Sequence, residues 1–432
     1  MIPKNYFCFK KIIIIAAFFI FIPREVWLAD VFINLEKSKG EKLVLLVDKF
    51  LSSAPEDEKL SAALNIVLRR DFVFSDVFSL ASPPYTSSPD IAFSPQDKEL
   101  ARWAVDLLLK GKVSSTKDSF SLEVYVYDIT TGQVMFKKVL AGKTGGERRL
   151  IHLLSDEIVL RFTGKPGIAH SRITFINDSS GYKELYLVDY DGYNLRRLTR
   201  HRSIVLLPTW SVDAENIYFT TFFDGNPDLY LYSLASGKIK PFSVRHGLNM
   251  SAAVSPDGKL VALTRTEKGD PEIFLLDSAG KTVRRLTFSK GADTSPSFSS
   301  TGREIVFVAD REGSPHLYIV DVEGVNLRQI TFSGYQNSPS WSPLGDRIAF
   351  TQRNKSGRFD IFTIYPDGSN LTKLTYEDGS NEDPCWSPDG RFILFTSTRN
   401  GQTELFFMRP DGTDQERLLV ISGKSSNPDW SR

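Results

Sequence analysis

Apolar and polar positions repeat with a nearly constant period along the second half of the chain. A short strand centred on one aromatic or apolar residue recurs six times, with the central residues Trp210, Val254, Phe298, Trp341, Trp386 and Trp430. The successive spacings are 44, 44, 43, 45 and 44 residues. A period of this length is typical of a β-propeller, in which one repeat forms one four-stranded blade.

Each repeat predicts four short strands joined by tight turns. The central strand leads into a turn of the Ser-Pro-Asp-Gly type, where proline presets φ and glycine tolerates a positive φ. An apolar strand follows, such as 259–264, and then an alternating strand, such as 317–321. A second glycine-bearing turn leads to a last strand, such as 328–331.

The two ends of the array are complementary. The first repeat begins at 172–177 without the aromatic strand, and the chain ends on such a strand at 428–432. We therefore expect the C-terminal segment to complete the first blade and to pair edges that would otherwise be exposed. The prediction is an all-β six-bladed β-propeller over residues 168–432.

The region before the propeller alternates strands with helices. This alternation predicts a small α/β domain, assigned to residues 30–165, with a link near 163–167. The predicted strands are 43–47, 72–80, 107–113, 120–128 and 133–140, and the predicted helical segments are 55–70, 95–104 and 145–162.

The first 29 residues have the pattern of a signal peptide. Lys4, Lys10 and Lys11 precede the apolar run 12–22. At about 1.5 Å per helical residue this run reaches about half of a ~30 Å hydrocarbon core. We expect export with removal of residues 1–29, so that the mature chain begins near Asp30 and has no transmembrane span. An uncleaved N-terminal anchor is the alternative.

Charge and cysteine content exclude some partners and indicate a compartment. Loss of residues 1–29 removes four basic residues and one acidic residue, which changes the net charge from +1 to −2. No excess of positive charge remains to attract nucleic acid. Cys8 leaves with that segment, so Cys385 is alone and no intrachain disulfide is predicted. An exported chain without disulfides fits the bacterial periplasm.

The sequence contains no motif of a familiar catalytic or metal site. It has neither a G-x-S-x-G nor an H-E-x-x-H pattern. The acidic turn at Asp189 and Asp191 lacks the further oxygen ligands of a calcium loop. No metal and no cofactor are predicted, because the histidines are scattered without ligand spacing at His152, His170, His201, His246 and His316.

Three aspartates resemble the acids of a glycosidase but recur at one turn position of their blades. These are Asp213, Asp257 and Asp389. Such recurrence predicts turn formation, because aspartate bonds nearby backbone amides. A non-enzymatic binding protein is therefore the leading hypothesis. A hydrolase whose site forms only in three dimensions is a less favoured alternative.

These features together resemble the TolB family, the periplasmic propeller component of Tol–Pal systems. The segment Leu-Val-Asp-Tyr-Asp-Gly-Tyr-Asn at 187–194 is close to a stretch of that family, and Asn-Pro-Asp-Trp-Ser at 427–431 is similar to its C-terminal closure. The resemblance covers nearly the whole mature chain. It implies an adaptor that helps to maintain outer-membrane integrity and constriction at cell division. The alternative is an exported stand-alone propeller that binds an unrelated ligand outside Tol–Pal.

The resemblance also implies two protein partners. The first is TolA, bound by an extended N-terminal segment with alternating apolar residues that suits strand addition. That segment corresponds here to Asp30, Val31, Phe32, Ile33, Asn34 and Leu35. The following stretch, 36–40, is more charged than the family pattern, and an edge strand of the α/β domain is the alternative.

The second implied partner is the Pal lipoprotein, bound on the propeller face that carries the loops before each aromatic strand. The resemblance places six residues on this face: His246, Asn249, Thr294, Arg311, Tyr335 and Asn381. Ordinary solvated loop residues are the alternative for each of them. Further outer-membrane proteins are additional candidate partners.

Overall fold

The computed structural model describes residues 42–86, 88–267, 269–376 and 379–431. The predicted signal peptide and the segment Asp30–Leu35 lie outside the described residues. In the described part of the chain, an α/β region is followed by a propeller. No helix there is long and apolar enough to cross a membrane.

The α/β region is one sheet covered by two α-helices. The elements are β1 Leu43–Val47, β2 Leu51–Ser52, the 3-10 helix Pro55–Asp57, α1 Glu58–Ser75, β3 Phe78–Leu80, the 3-10 helix Pro95–Trp103, β4 Leu107–Ser115, β5 Ser119–Asp128, β6 Val134–Lys143 and α2 Glu147–Thr163. The sheet has the order β3-β1-β4-β5-β6, with β2 paired to β4. Strand β1 is parallel to β3 and β4, whereas β4, β5 and β6 are antiparallel.

The alternation of apolar residues along β5 explains how the helices are held. Leu122, Val124 and Val126 are fully buried and form one core with apolar residues of α1 and α2, including Leu68 and Ile158. Successive side chains of a strand point to opposite faces of the sheet, so these three residues share the face of β5 that packs against the helices.

One predicted strand is partly wrong. Residues 72–75 belong to α1, and the strand predicted at 72–80 begins only at Phe78. Leu64, Leu68 and Phe72 follow one another at intervals of four residues and are buried, so Phe72 continues the apolar face of the helix. The helix ends where Asp76 adopts a left-handed conformation, with a φ of 56°.

The propeller consists of six four-stranded antiparallel sheets in the described residues, which confirms the predicted fold class. Blade 1 combines β7 Arg172–Asn177, β8 Glu184–Asp189 and β9 Arg196–Arg197 with the C-terminal strand β30 Ser425–Trp430. The other blades are β10 Val205–Trp210, β11 Asn216–Thr221, β12 Asp228–Ser233 and β13 Ile239–Ser243 (blade 2); β14 Asn249–Val254, β15 Leu260–Arg265, β16 Glu272–Asp277 and β17 Thr282–Arg285 (blade 3); β18 Asp293–Phe298, β19 Glu304–Ala309, β20 His316–Asp321 and β21 Arg328–Gln329 (blade 4); β22 Gln336–Trp341, β23 Ile348–Arg353, β24 Phe359–Ile364 and β25 Thr372–Lys373 (blade 5); and β26 Asn381–Trp386, β27 Ile393–Ser397, β28 Glu404–Met408 and β29 Glu416–Arg417 (blade 6).

The ring closes as the complementary ends predict. Strand β30 pairs antiparallel with β7, so that Trp430 lies opposite Ile173 and Ser425 lies opposite Asn177. The first strands of successive blades contact one another around the centre. The repeated aromatic residues pack between blades; Phe298 of blade 4, for example, shares an apolar cluster with Ile273 of blade 3.

The α/β region is fixed to the propeller by an aromatic contact. The ring of Phe74 in α1 stacks on Phe392 of blade 6, with centroids 4.3 Å apart. It also contacts Tyr190 of blade 1 at 4.8 Å. The helix therefore packs where the last blade meets the first.

Candidate functional site

The six residues that the resemblance assigns to Pal binding lie at one end of the propeller. We call this end the loop face. It is the end at which the six innermost strands begin, at Val205, Asn249, Asp293, Gln336, Asn381 and Ser425. The loops that arrive there come from the outermost strand of the preceding blade.

Two of the six residues present their side chains to solvent. His246 is exposed in the loop before β14, and Tyr335, which is 40% exposed, lies directly before β22. Thr294 and Arg311 are half-buried. The Nη2 of Arg311 donates to Asp293 Oδ2 at 2.6 Å, so the guanidinium is fixed at the rim of blade 4.

The other two, Asn249 and Asn381, are fully buried. The Nδ2 of Asn249 donates to Asp228 Oδ1 at 3.0 Å and to the carbonyl oxygen of Arg245 at 2.6 Å. Asn381 accepts a hydrogen bond from Arg399 Nη2 at 3.2 Å. Neither side chain reaches the surface of this structure, and their part in binding Pal stays a prediction. The first position of each innermost strand is interior, and both asparagines hold the loops in place.

Sequence reasoning missed a series of exposed apolar side chains on the loop face. These residues lie 44 positions apart, each just after the outermost strand of its blade. We call them the apolar arc: Val244, Phe288, Phe332, Tyr376 and Val420, which are 47, 73, 76, 61 and 74% exposed. Arg200 occupies the equivalent position of blade 1. Reading the repeat at this single offset would have found the arc.

The residue before each aromatic side chain of the arc fixes the local backbone. The hydroxyl oxygens of Thr287, Thr331 and Thr375 accept hydrogen bonds from the second or third backbone N–H of the third strand, at 2.9, 2.8 and 3.0 Å. All three threonines are buried. Because neighbouring side chains of an extended chain point in opposite directions, the next side chain projects into solvent.

Cationic side chains accompany two residues of the arc. The Arg285 guanidinium lies 4.5 Å from the centroid of the Phe288 ring. The Lys373 ammonium lies 5.1 Å from the Tyr376 ring. Both cations are also ion-paired, Arg285 with Glu272 and Lys373 with Asp360, each at 2.9 Å. The arc therefore offers apolar area beside compensated charge, and aromatic and arginine side chains are enriched in protein-binding surfaces.

The centre of the propeller is a channel that encloses a cavity of about 250 Å³. Each innermost strand bulges here, and the bulge residue has a φ between 47° and 57°. These bulge residues line the channel: Leu207, Ser251, Ser295, Ser338, Asp383 and Asn427.

The reactive groups of the channel are restrained by protein contacts. Asp383 accepts hydrogen bonds from Ser338 Oγ at 3.0 Å and from Asn427 Nδ2 at 2.9 Å, and burial raises its pKa. Asp429 accepts from the backbone N–H of Trp210 at 2.8 Å. Burial, with the charges of Asp429 and Asp383, raises the pKa of the Cys385 thiol well above its usual value. That thiol is therefore a poor nucleophile.

The acidic turns have the structural role that their recurrence predicts. Asp257 and Asp389 accept hydrogen bonds from Ser255 and Ser387, both at 2.7 Å. Asp213 bonds Ser211 in the same way. For Asp257, the hydrogen bond from Ser255 is the main cause that lowers its pKa to about 2.

A buried polar cluster at the junction of the two regions was also missed. His152 of α2 lies beside Asp71 of α1 and beside Asp191, in the turn that follows β8. His152, Asp189 and Asp191 each bring one potential metal-ligating atom to within 4.8 Å of the others. The sequence places Asp189 and Asp191 in one turn, but no spacing connects that turn with His152 in α2 or with Asp71 in α1.

Comparison with known proteins decides the family. A family model described as the TolB beta propeller domain matches residues 159–432, more than half of the chain. The chain belongs to the TolB propeller family. The matched range covers all six blades and the end of α2, so family membership rests on the propeller.

Relatives of the TolB family share moderate identity with the chain. The Tol-Pal system protein TolB of Geobacter sulfurreducens is 39% identical over 200 residues, which are 45% of this chain and 46% of that protein. The protein TolB homolog of Chlorobium chlorochromatii is 36% identical over 221 residues, 50% of each chain. The chain thus spans about half the length of the curated relatives that it matches.

One solved structure of the family agrees with the fold over most of the chain. The crystal structure of TolB from Acinetobacter baumannii aligns with a TM-score of 0.75 and 24% identity, covering 90% of this chain and 97% of that one. At this identity the agreement concerns the fold: an α/β region followed by a six-bladed propeller.

Proposed function

We propose that this chain is a periplasmic, non-catalytic adaptor of a Tol–Pal system, which helps to maintain outer-membrane integrity and constriction at division. Relatives named Tol-Pal system protein TolB support membership of that system. Residues 1–29 would direct export and be removed. Residues 30–165 would form the α/β domain with its partner-binding segment, and residues 168–432 would form the propeller.

The apolar arc carries the binding role. Each blade leaves only a short outer edge strand, so a protein partner is more readily bound by a face of the propeller than by strand addition. Large exposed apolar side chains that recur on one face mark an interaction surface. A second series also repeats every 44 residues at the opposite end. Its members Leu327 and Leu371 are 44% and 51% exposed, less than the aromatic residues of the arc, and it has no aromatic member among its exposed residues.

Pal is the partner proposed for the loop face. His246 and Tyr335 lie among the arc residues and supply polar contacts beside apolar ones. Thr294 lies in β18 of blade 4, and Arg311 is bonded to Asp293 at the start of the same strand. The arc would provide the buried centre of the interface and these side chains its polar rim.

Titration with the purified periplasmic domain of Pal tests this site. The double substitution Phe288→Asp with Phe332→Asp should weaken binding by about 30-fold or more, because burying an unpaired carboxylate opposes docking. The matched control is Leu327→Asp with Leu371→Asp, which places the same charges at the opposite end. If both double variants bind Pal equally well, the arc is not part of the interface.

TolA is the partner proposed for the N-terminal segment Asp30–Leu35, which lies outside the described residues. Its support is the alternation Val31, Ile33 and Leu35 against Asp30, Phe32 and Asn34, with which one side of an added strand would be uniformly apolar. An exported stand-alone propeller would bind neither TolA nor Pal, and the same titrations therefore distinguish the two functions.

A further inference from the structure

A buried polar cluster joins the α/β region to blade 1. Its central ring is His152, which is 2% exposed, and Asp71 beside it is 1% exposed. The Nδ1 of His152 lies 2.9 Å from Asp71 Oδ2 and 3.1 Å from Asp71 Oδ1. The hydroxyl of Tyr190 donates to Asp71 Oδ1 at 2.5 Å. Two helices and the turn after β8 therefore meet at one carboxylate.

The position of Asp71 assigns the proton on the neutral imidazole. A carboxylate beside Nδ1 holds the hydrogen there, so that Nε2 keeps its lone pair. That Nε2 is buried and has no hydrogen-bond partner. It lies 3.7 Å from Asp191 Oδ2, so two electron-rich atoms face each other in the interior. A positive species between them would remove this repulsion.

The arrangement has the components of a transition-metal site. A carboxylate that orients a histidine through Nδ1, while Nε2 points to a metal, is the usual outer shell of zinc sites. Asp189 adds a third ligating atom to those of His152 and Asp191. One nitrogen and two carboxylates suit zinc, since calcium prefers six to eight oxygens and magnesium retains several waters.

We propose that His152, Asp189 and Asp191 form a binding site for a zinc-class divalent cation at the junction of the α/β region and the propeller. One ligand comes from α2, one from the last residue of β8 and one from the turn between β8 and β9. An ion bound here holds the two regions together. This site is independent of the loop face and of the proposed partners.

Arg148 limits the strength of this site. Its Nη2 contacts Asp191 Oδ2, and its guanidinium lies 3.7 Å from the centroid of the Tyr193 ring. The guanidinium and a metal ion therefore compete for one carboxylate. The Arg148 side chain is 24% exposed, so it can withdraw toward solvent when an ion binds. Replacing it should strengthen metal binding.

The test uses the purified chain without an affinity tag, dialysed against a chelator and then titrated calorimetrically with zinc chloride. The parent should bind one zinc per chain, and its melting temperature should rise with zinc, because an ion that binds the folded state stabilises it. Asp189→Asn and His152→Gln should each weaken binding at least about tenfold, and Asp71→Asn by about 10–100-fold. Arg148→Gln should bind zinc more tightly than the parent.

Two control variants change the same residue types outside the proposed site. Asp277→Asn changes the aspartate at the same position of blade 3, and His201→Gln changes a histidine on the loop-face side of blade 1. Both should bind zinc like the parent. Asp189 is half-buried, so Asp189→Asn keeps the test valid if His152→Gln fails to fold. An absence of saturable zinc binding, or binding unchanged by Asp189→Asn, would overturn the proposal.

Discussion

The indole N–H of Trp430 donates a hydrogen bond to the hydroxyl oxygen of Ser171 at 2.7 Å, across 259 residues of sequence. Beside it, the backbone N–H of Ser431 donates to the carbonyl oxygen of Arg172 at 2.8 Å. The last residues of the chain are therefore bonded to the first residues of the propeller. The integrity of the ring depends on this short segment.

Removing the closing strand should destabilise the protein strongly. Trp430 is 5% exposed, and truncation of a buried tryptophan costs about 3–5 kcal/mol. This is a large share of the 5–15 kcal/mol typical of a folded protein. Both Trp430→Ala and deletion of residues 427–432 should lower the midpoint of urea unfolding, measured by fluorescence. Trp103→Ala is the control, because Trp103 is 54% exposed. Equal midpoints for Trp430→Ala and Trp103→Ala would mean that the ring is closed in another way.

Phe74 should be the main apolar anchor between the two regions. Its stacking on Phe392 is lost in Phe74→Ala, which should cost up to about 3 kcal/mol. The linker at 163–167 should then be cleaved faster by protease. Phe223→Ala, which removes a ring that is 59% exposed, should leave cleavage unchanged. Identical cleavage of Phe74→Ala and the parent would show that other contacts dominate the junction.

The repeat made the propeller predictable from sequence, because a 44-residue period recurs whatever the details of each loop. The closure followed from the same pattern, since the strand missing at 172 appears at 430. The strand predicted from Phe72 failed for a local reason. A short apolar run fits either a strand or the buried face of a helix. Here Phe72 follows Leu68 by four residues and so continues the buried face of α1.

The functional surfaces were harder to predict. Asn249 and Asn381 lie at the end of the propeller that the resemblance indicates, but burial of the first residue of each innermost strand depends on neighbouring loops. The cluster around His152 requires the packing of two helices on blade 1, and Asp71 lies 81 residues away in sequence. Tertiary proximity of this kind leaves no spacing in a single sequence.

Gly167 should be intolerant of a side chain. A Cβ at this position would lie 2.1 Å from Asp156 Oδ1 and 2.7 Å from Asp156 Cα. That carboxylate accepts the backbone N–H of Ala169 at 2.7 Å and so holds the linker. Gly167→Ala should therefore destabilise the protein by about 1–3 kcal/mol in urea unfolding. Gly146→Ala, where the nearest atom is 3.4 Å away, should not; equal effects of the two changes would exclude the clash as the cause.

The buried pair Asp97–Lys110 should make stability depend on pH. The two charged atoms are 3.0 Å apart, and both side chains are at most 2% exposed. Burial alone would raise the pKa of Asp97, but hydrogen bonds from Tyr85, Ser94 and Lys110 lower it below the usual value. The ionised carboxylate therefore stabilises the fold above pH about 3.9, and this contribution is lost as the pH falls through the lower folded pKa.

Asp97→Asn should accordingly cost about 3–5 kcal/mol at pH 7, because Lys110 is left without a counter-charge. The difference from the parent should shrink as the pH falls below about 3.9. Urea unfolding at a series of pH values measures it, with the exposed Asp118→Asn as the control. If the difference in unfolding free energy between Asp97→Asn and the parent stays constant at every pH below about 3.9, the role of this ion pair is contradicted.

The most direct test of the adaptor function is a calorimetric comparison of two variants with two partners. One variant lacks residues 30–35, and the other carries Phe288→Asp and Phe332→Asp. Each is titrated with purified TolA and Pal periplasmic domains. The account predicts that the first variant loses TolA binding and keeps Pal binding, whereas the second loses Pal binding and keeps TolA binding. If the parent binds neither partner, or if both variants bind both partners like the parent, the proposed Tol–Pal function is contradicted.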